Sequence, residues 1–264
     1  MGAGGSTDAG ATMNGDGRAL VIVPTYNERG SLREVVERTL AAGEGIDLLI
    51  VDDASPDGTG ALAKEMGEPE PRVDILERDG KRGLGTAYVL GFGWALQRDY
   101  SAIVEMDADL SHDPADLPRL LSALEDADLA IGSRYIDGGH VRNWGAIRRA
   151  LSAAANLYAR LWLGYRVRDS TSGFRAYRRD TLLDQDLSSI RSEGYAFQIE
   201  MTRRVARAGG SIVEVPITFV ERASGRSKLN RGVVLEAMVF VMAWGLKDRL
   251  RRRPRELSGT EGGR

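Results

Sequence analysis

Two aspartates separated by one residue, Asp107 and Asp109, are the side chains whose type and spacing most directly suggest chemistry. They follow an apolar run typical of a β-strand, and in extended backbone residues i and i+2 face the same way, about 6.6 Å apart. Two carboxylates so placed suit Mg²⁺ or Mn²⁺, which accepts phosphate oxygens and waters as further ligands. The spacing therefore predicts a metal-diphosphate site, with a plain polar turn as the alternative. His112, just beyond, is expected to be a solvated turn residue, with a metal ligand as the alternative.

Two further polar clusters also follow apolar runs. In the first, Tyr26 offers a flat ring on which a base or ribose can lie, and Glu28 offers an acceptor for ring N–H or sugar hydroxyl groups. In the second, the adjacent Asp52 and Asp53 must point in different directions if the strand continues, so at most one of them meets a ligand. Taken alone, each cluster is more typical of a capped turn between a strand and a helix.

The elements that must position these clusters alternate between strand and helix from residue 18 onwards. Because the strand runs are apolar on both faces, we expect an α/β domain whose mainly parallel sheet has helices on both faces. Ligands of such sheets bind beyond the carboxyl ends of the strands, where the polar clusters fall. The predicted strands are residues 19–23, 46–51, 73–76, 102–106 and 129–132, and the predicted helices are residues 31–42, 57–66 with Asp57 as N-cap, 83–98 and 114–125.

Composition limits the classes of chemistry. The chain has 264 residues, no Cys and 2 His, which excludes disulfides, thiol catalysis and multi-histidine metal sites. Its 36 Lys and Arg against 38 Asp and Glu give a formal net charge of -2, so a global basic surface for nucleic acid is missing. Neither a P-loop motif nor a complete G-x-G-x-x-G motif is present, so the sequence supports neither an NTPase nor a plain dinucleotide dehydrogenase. Because the chain has no Cys and only 2 His, a catalytic metal must be bound by oxygen ligands.

The two ends of the chain differ from the middle. Residues 1–17 are rich in Gly, Ala and small polar residues and are expected to form a disordered tail without a signal peptide. Residues 233–246 are apolar but shorter than the ~20 residues that cross a bilayer. Basic residues follow them and Trp244 lies near the junction, so residues 230–264 are expected to form an amphipathic helix and basic tail at a membrane interface. A core-packing helix with a solvated tail is the alternative.

Several motifs together resemble those of a known enzyme family. The matching segments are VPTYNE (23–28), VDDASPDGT (51–59), GLGTAY (83–88), MDADLSHDP (106–114), GSRY (132–135), TSGFRAY (171–177) and ERASGRSK (221–228). As a set they are similar to the polyprenol (dolichol) phosphate mannosyltransferases, inverting enzymes of glycosyltransferase family 2 with the GT-A fold. The resemblance implies a GT-A-type domain, Rossmann-like in its sheet, over residues 18–229.

This resemblance implies a reaction and a set of site residues. Mannose would pass from GDP-mannose to a polyprenyl monophosphate with inversion, giving polyprenyl phosphate β-mannose, with Mg²⁺ or Mn²⁺ on Asp107 and Asp109. Ser111 stands where some relatives have a metal-binding Gln, so the third ligand stays open between protein and water. The implied base-and-ribose residues are Pro24, Tyr26, Glu28, Val51 and Asp53; the diphosphate residues are Asp107, Ala108 and Asp109; the phosphate-binding arginines are Arg134 and Arg148; the donor-closing loop carries Arg222 and Lys228; and the catalytic residues are Asp109, Arg134 and Arg148.

A phosphate acceptor removes the need for a general base, because a phosphate monoester with a second pKa of about 6 is largely dianionic at pH 7. The site must instead hold two anions together, with a cation on the leaving diphosphate and forked arginine donors on the attacking phosphate. Two alternatives stay open: the same chemistry with UDP-glucose, and a non-catalytic sugar-nucleotide-binding membrane module.

The resemblance and the basic C-terminal end also imply partners and a location. The expected partners are GDP-mannose, a polyprenyl monophosphate and a membrane surface, with no nucleic acid. A separate membrane-anchoring protein partner stays open. The expected location is cytoplasmic and peripheral, on the inner face of the membrane.

Overall fold

The structure, a computed structural model, describes residues 17–221 and 231–251, with side chains described over 17–221 and 237–250. The expected tail at residues 1–17, apart from Gly17, lies outside the described residues. So do Arg222, Lys228 and the basic residues after 251.

The described chain alternates strands and helices, as the sequence predicts. The strands are β1 (Arg18–Thr25), β2 (Ile46–Asp52), β3 (Val73–Glu77), β4 (Tyr100–Glu105), β5 (Leu129–Ser133), β6 (His140–Arg142), β7 (Arg175–Arg178), β8 (Ile212–Pro216) and β9 (Thr218–Val220). The helices are α1 (Arg29–Ala41), α2 (Thr59–Gly67), α3 (Leu84–Leu96), α4 (Leu117–Ser122), α5 (Ala146–Leu163), α6 (Arg179–Leu183), α7 (Gly194–Arg207) and α8 (Arg231–Arg251).

A seven-stranded sheet in the order β3-β2-β1-β4-β7-β5-β8 forms the centre of the described chain. Strands β1 to β4 pair in parallel, and so do β5 and β8, whereas β7 runs antiparallel to both β4 and β5. A separate parallel pair joins β6 and β9. The mainly parallel α/β sheet is thus confirmed, and the carboxyl ends of β1, β2 and β4 lie at one edge.

Two apolar layers cover the faces of the sheet. Successive residues of β1 alternate between them, with Val21 in the layer under α1 and α4 and Ile22 in the layer under α3 and α7. Both side chains are fully buried, and burying one such side chain contributes roughly 1.5–3 kcal/mol. Helices therefore lie on both faces of the sheet, and their packing holds in place the strands whose ends carry the polar clusters.

Two of the predicted helices need correction. The predicted helix at 114–125 is a short α-helix, α4, between two 3-10 turns, because Pro118 cannot donate to the carbonyl of Pro114 and its ring crowds that carbonyl. Helix α2 has Gly58, with φ +86°, as its N-cap in place of Asp57. The Asp57 carboxylate still accepts a hydrogen bond from the Thr59 amide at 3.0 Å, so it caps the helix from one residue earlier.

Helix α8 packs against α5 and α7. Ala237 and Val241 are buried there, and Arg203 and Arg207 of α7 form ion pairs with Asp248. A Cβ at Gly245 would lie 2.7 Å from the Trp162 carbonyl oxygen, so this glycine permits the close approach of α8 to α5. Within the described residues, no helix has the length and apolar character needed to cross a membrane.

Candidate functional site

The three polar clusters meet at the carboxyl edge of β1, β2 and β4. The Asn27 amide donates to Ser55 Oγ at 3.0 Å, which joins the first cluster to the second. Ser31 Oγ donates to the Ala108 carbonyl at 2.7 Å, which joins the first cluster to the third. The structure thus brings together the regions that the sequence places at the strand ends.

Asp107 and Asp109 lie on a turn, because β4 ends at Glu105 and residues 108–109 are in turn conformation. The expectation that an extended strand carries both carboxylates is therefore wrong. Leu110 has φ +60°, a left-handed conformation that continues the turn, and the Ser111 amide donates to Asp109 Oδ1 at 3.0 Å. Both aspartates stay half-buried, so their carboxylates are within reach of a ligand.

The oxygen atoms of this turn fit a hard divalent cation. Across residues 17–221 and 231–251, no group of three or more His, Asp or Glu residues is arranged to hold a metal. Two carboxylates with remaining positions for water and phosphate oxygens is the pattern that Mg²⁺ or Mn²⁺ adopts with nucleotide substrates. Ser111 provides a third oxygen on the same turn. Its Oγ is buried and has no hydrogen-bond partner among the described residues.

His112 is buried, and the expectation of a solvated turn histidine is wrong. Its ring stacks on Phe174 at 5.1 Å between centroids and meets the edge of Phe219 at 5.4 Å. Burial lowers the pKa of His112 to about 4, so the imidazole is neutral at pH 7. Its Nδ1 accepts a hydrogen bond from the Asp107 amide at 3.4 Å, so it supports the turn.

The adjacent aspartates at the end of β2 point in different directions, as the sequence predicts. Asp52 accepts hydrogen bonds from Thr25 Oγ1 at 2.7 Å and from the Ser55 amide at 2.9 Å, so it fixes the turn. Asp53 forms an ion pair with Arg78 at 2.8 Å and accepts from the Arg82 amide at 3.2 Å. Asp53 is therefore the carboxylate of this pair that faces the neighbouring loop.

The remaining base-and-ribose candidates differ in accessibility. Pro24 and Tyr26 are half-buried, and Lys81 Nζ lies 4.1 Å from the centroid of the Tyr26 ring. Glu28 is the N-cap residue of α1, and its amide donates to Thr59 Oγ1 at 3.1 Å. The Val51 side chain is fully buried in the core, so any ligand contact of Val51 would have to come from its backbone.

A half-buried carboxylate holds the glycine-containing first turn of α3. Glu193 accepts hydrogen bonds from the amides of Gly85, at 2.8 Å, and Thr86, at 3.3 Å. Gly83 has φ +99°, and a Cβ there would collide with the Glu193 carboxylate. Burial raises the pKa of Glu193, although the two amides oppose that shift. The motif at residues 83–88 is thus fixed by a distant carboxylate to which sequence reasoning assigned no role.

Arg134 is locked by a carboxylate that sequence reasoning also missed. Its Nε and Nη2 donate to Asp169, each at 2.7 Å, and Nη2 also donates to Thr171 Oγ1 at 2.9 Å. Burial disfavours the charged forms of both side chains. The attraction between the guanidinium and the carboxylate outweighs it, so the pKa of Arg134 is raised and that of Asp169 is lowered. Asn156 of α5 donates to Thr171 Oγ1 at 3.0 Å and extends the network. The expected fork of Arg134 is therefore taken by Asp169, and Nη1 has no hydrogen bond to a described residue.

Arg148, the other predicted phosphate-binding arginine, lies at the first turn of α5. Its guanidinium carbon is 4.2 Å from the centroid of the Trp144 ring, and its Nη1 forms an ion pair with Glu221. Arg134 lies 5.5 Å from the same ring and 5.4 Å from that of Phe219. Because Phe219 also contacts His112, these rings connect the two arginines to the Asp107 turn.

A buried polar network lies beneath the site. Arg175 is fully buried and donates to the carbonyls of Ser170, Ser172 and Gln198, so it holds the loop that carries Asp169. Burial raises the pKa of Glu105 to about 7, against the opposing charge of Arg175. The TSGFRAY motif signalled this segment in the sequence, but its pattern did not reveal that Arg175 is internal.

Comparisons with known proteins agree on one family. The family model described as glycosyl transferase family 2 matches residues 20–184. A polyprenol monophosphomannose synthase of Mycolicibacterium smegmatis is 52% identical over 250 residues, covering 94% of each chain. An undecaprenyl-phosphate mannosyltransferase of Micrococcus luteus is 53% identical over 232 residues, covering 88% of this chain and 96% of that one.

Solved structures share the fold at low identity. A glucosyl-3-phosphoglycerate synthase of Mycobacterium tuberculosis has a TM-score of 0.63 at 20% identity and covers 86% of this chain and 79% of its own. A mannosyltransferase of Pyrobaculum calidifontis, solved with GDP-Man and Mn²⁺, has a TM-score of 0.59 at 20% identity and covers 88% of this chain and 64% of its own. The GT-A-type architecture expected from the sequence is thus confirmed.

Proposed function

Because the chain belongs to glycosyl transferase family 2 and is a glycosyltransferase, we propose that it transfers mannose from GDP-mannose to a polyprenyl monophosphate with inversion at the anomeric carbon. Two relatives above half identity are named for mannose transfer to such lipid phosphates, which supports the acceptor class and the sugar. The motif set supports GDP-mannose as the donor.

The observation that carries the proposal is an acidic turn, with Asp107 and Asp109, beside an arginine pair, Arg134 and Arg148. His112 contacts Asp107 and Phe219, and the Phe219 ring centroid lies 5.4 Å from the guanidinium carbon of Arg134, so one aromatic cluster links the carboxylates to the cations. Carboxylates holding a cation suit a sugar diphosphate, whereas arginines suit a free phosphate. The site can therefore receive two anions side by side.

On the donor side we propose Tyr26 and Asp53 for the base and ribose, together with Pro24, Glu28 and the backbone of Val51. Asp107 and Asp109 would hold Mg²⁺ or Mn²⁺, with Ala108 between them. The bound cation would neutralise charge on the departing diphosphate. Arg222 and Lys228, outside the described residues, are proposed to close over the donor.

On the acceptor side we propose that Arg134 and Arg148 orient the lipid phosphate for in-line attack. Asp169 takes the fork of Arg134, so Arg134 would contribute Nη1 and a fixed positive charge. His112 is neutral and buried, and it serves as a hydrogen-bond acceptor for the Asp107 amide. The dianionic phosphate supplies its own nucleophilic oxygen, so the mechanism needs no general base.

We propose that the outer faces of α5 and α8 rest on the cytoplasmic face of a membrane. Ile147 and Leu151 of α5 are 79% and 63% exposed, and Leu250 of α8 is 68% exposed. Apolar side chains beside basic ones favour a lipid surface, and Arg149 and Arg249 lie on these two helices. Arg148 is on the first turn of α5, so a lipid phosphate can meet it while the polyprenyl chain stays in the membrane.

A labelled-donor panel tests the proposal. GDP-mannose, GDP-glucose and UDP-glucose would each be offered with a short polyprenyl phosphate and Mg²⁺ or Mn²⁺, and the lipid product would be counted and its anomeric configuration read by NMR. We expect a β-mannosyl lipid from GDP-mannose alone. Preferred use of UDP-glucose would make the chain a glucosyltransferase, and binding of sugar nucleotide without any transfer would favour a non-catalytic module.

A further inference from the structure

Two buried hydrogen-bond donors near the arginine pair have no partner among the described residues. They are Trp144 Nε1 and Arg148 Nε. Trp144 is only 9% exposed, so its indole N–H is removed from bulk water. Leaving buried donors unpaired is costly, and two such donors on side chains that contact each other indicate a ligand that pairs with them.

The two donors belong to one compact arrangement. The Arg148 guanidinium lies over the Trp144 ring at 4.2 Å, and the Arg134 guanidinium lies 5.5 Å from that ring. Phe219 packs against the indole in an edge arrangement at 5.4 Å. An oxyanion beside Trp144 would thus meet an indole N–H and two positive charges.

One oxyanion already occupies part of this arrangement. The Glu221 carboxylate forms an ion pair with Arg148 Nη1, and the two side chains are 32% and 25% exposed. Arg148 therefore binds an oxyanion at a partly solvent-exposed position. A phosphate dianion carries more charge than a carboxylate and can replace it there.

We infer that Trp144 is a direct ligand of the acceptor phosphate, whose oxygens accept from Trp144 Nε1 and Arg148 Nε after the phosphate displaces the Glu221 carboxylate. Trp144 then has two tasks, since its ring face supports the Arg148 guanidinium and its edge binds the substrate. The inference rests on the proposed function and adds a residue to the acceptor side of that site.

Replacing Trp144 by Phe separates these tasks, because Phe keeps an aromatic face for Arg148 and lacks the N–H. For Trp144→Phe we expect KM for the polyprenyl phosphate to rise about tenfold or more, with an unchanged Kd for GDP-mannose. The melting temperature should fall by only a few degrees, since the change removes an unpaired buried donor but leaves a small cavity where the second indole ring packed. Trp94→Phe is the matched control, because Trp94 of helix α3 also has an arginine, Arg98, over its ring at 3.4 Å.

The variant Glu221→Gln, which removes the carboxylate, tests the same site with an expected change in acceptor KM of the opposite sign. Removing the competing charge should lower KM for the polyprenyl phosphate severalfold, and this readout does not depend on the folding of the Trp144 variant. An unchanged acceptor KM in Trp144→Phe, with a raised KM in Arg148→Ala, would overturn the inference and leave the proposed function standing. Failure of the wild-type enzyme to use any polyprenyl phosphate would instead overturn the proposed function.

Discussion

The proposed donor and acceptor sides of the site are built by different means. On the donor side, Asp53 and Asp107 lie within two residues of the ends of strands β2 and β4, so the sheet itself delivers them to the edge. On the acceptor side, Arg134 is held by Asp169, and Arg148 pairs with Glu221 in the absence of a phosphate; both partners are far away in the sequence. Local chain direction thus positions the carboxylates, whereas side-chain pairing across the fold positions the cations.

This difference matters for the consequences of substitution. A carboxylate at a strand end is held by backbone that survives loss of the side chain. A buried arginine depends on its partner, and removing one member of a buried pair leaves an uncompensated charge. Donor-side variants should therefore lose activity with an intact fold, whereas loss of Asp169 should cost both stability and function.

The largest expected effect is on the donor side. Asp109→Ala removes a proposed metal ligand from the half-buried turn, and we expect transfer to fall at least about a thousandfold, equivalent to about 4 kcal/mol of transition-state stabilisation. Circular dichroism and the melting temperature of the metal-free protein should change little. Transfer assays on the purified variant provide the measurement.

Asp113→Ala is the matched control, since Asp113 is an exposed carboxylate of the same segment that caps the following 3-10 turn. It should cost some stability and little activity. EDTA should reproduce the Asp109 defect in the wild-type enzyme. Normal transfer by the Asp109 variant, or full activity in chelator, would contradict a metal site on this turn.

A second effect concerns the two buried groups flanking Asp107. The lowered pKa of His112, about 4 against 6.5, makes stability fall as pH drops from 6.5 to 4, because only the unfolded chain gains a proton there. The raised pKa of Glu105, about 7 against 4.5, makes stability fall as pH rises from 4.5 to 7. Each effect amounts to about 3 kcal/mol over its window, and the two oppose each other.

Urea unfolding of the metal-free protein between pH 4.5 and 6.5 checks this balance. The free energy of unfolding of the wild type should vary little with pH in this range, because the effects of His112 and Glu105 oppose each other. His112→Gln should leave a stability that decreases as pH rises, and Glu105→Gln one that increases as pH rises. Parallel profiles for the two variants would show that these groups do not titrate as their burial requires.

A third effect sharpens the acceptor side. If the lipid phosphate is its own nucleophile, kcat/KM should fall about tenfold per pH unit below the phosphate pKa of about 6. A free polyprenol should be inert at every pH. A rate that stays level from pH 7 to 5, or efficient transfer to the alcohol, would mean that a protein base activates the acceptor.

The sequence was sufficient for the parallel sheet and the strand-end carboxylates, because apolar runs and polar stops are local signals. It was not sufficient for β7, which pairs antiparallel between β4 and β5, or for Asp169 and Trp144, whose roles arise from contacts across the fold. His112 was assigned to solvent because a polar turn gives no sign of the aromatic rings of Phe174 and Phe219 that enclose it.

The smallest expected effect concerns the membrane face. Leu151→Ser combined with Leu161→Ser removes two exposed apolar side chains, 63% and 66% exposed, from α5. Co-sedimentation with vesicles containing anionic lipid should fall severalfold, with little change in transfer to a detergent-dispersed acceptor. Leu183→Ser on α6, 53% exposed, is the control and should bind vesicles normally. Equal loss in both variants would exclude α5 as the contact.

The most direct test of the division between donor and acceptor sides is one paired measurement on Arg148→Ala and Lys228→Ala, with Arg149→Ala as the neighbouring control. GDP-mannose affinity would be measured by titration calorimetry with Mn²⁺, and KM for the polyprenyl phosphate by transfer assay. We expect Arg148→Ala to raise only the acceptor KM, by about ten- to a hundredfold, and Lys228→Ala to weaken only the donor. Arg148→Lys should recover part of the loss, since a point charge lacks the planar fork. Weakened GDP-mannose binding with an unchanged acceptor KM in Arg148→Ala would reverse the two sides and contradict the proposed site.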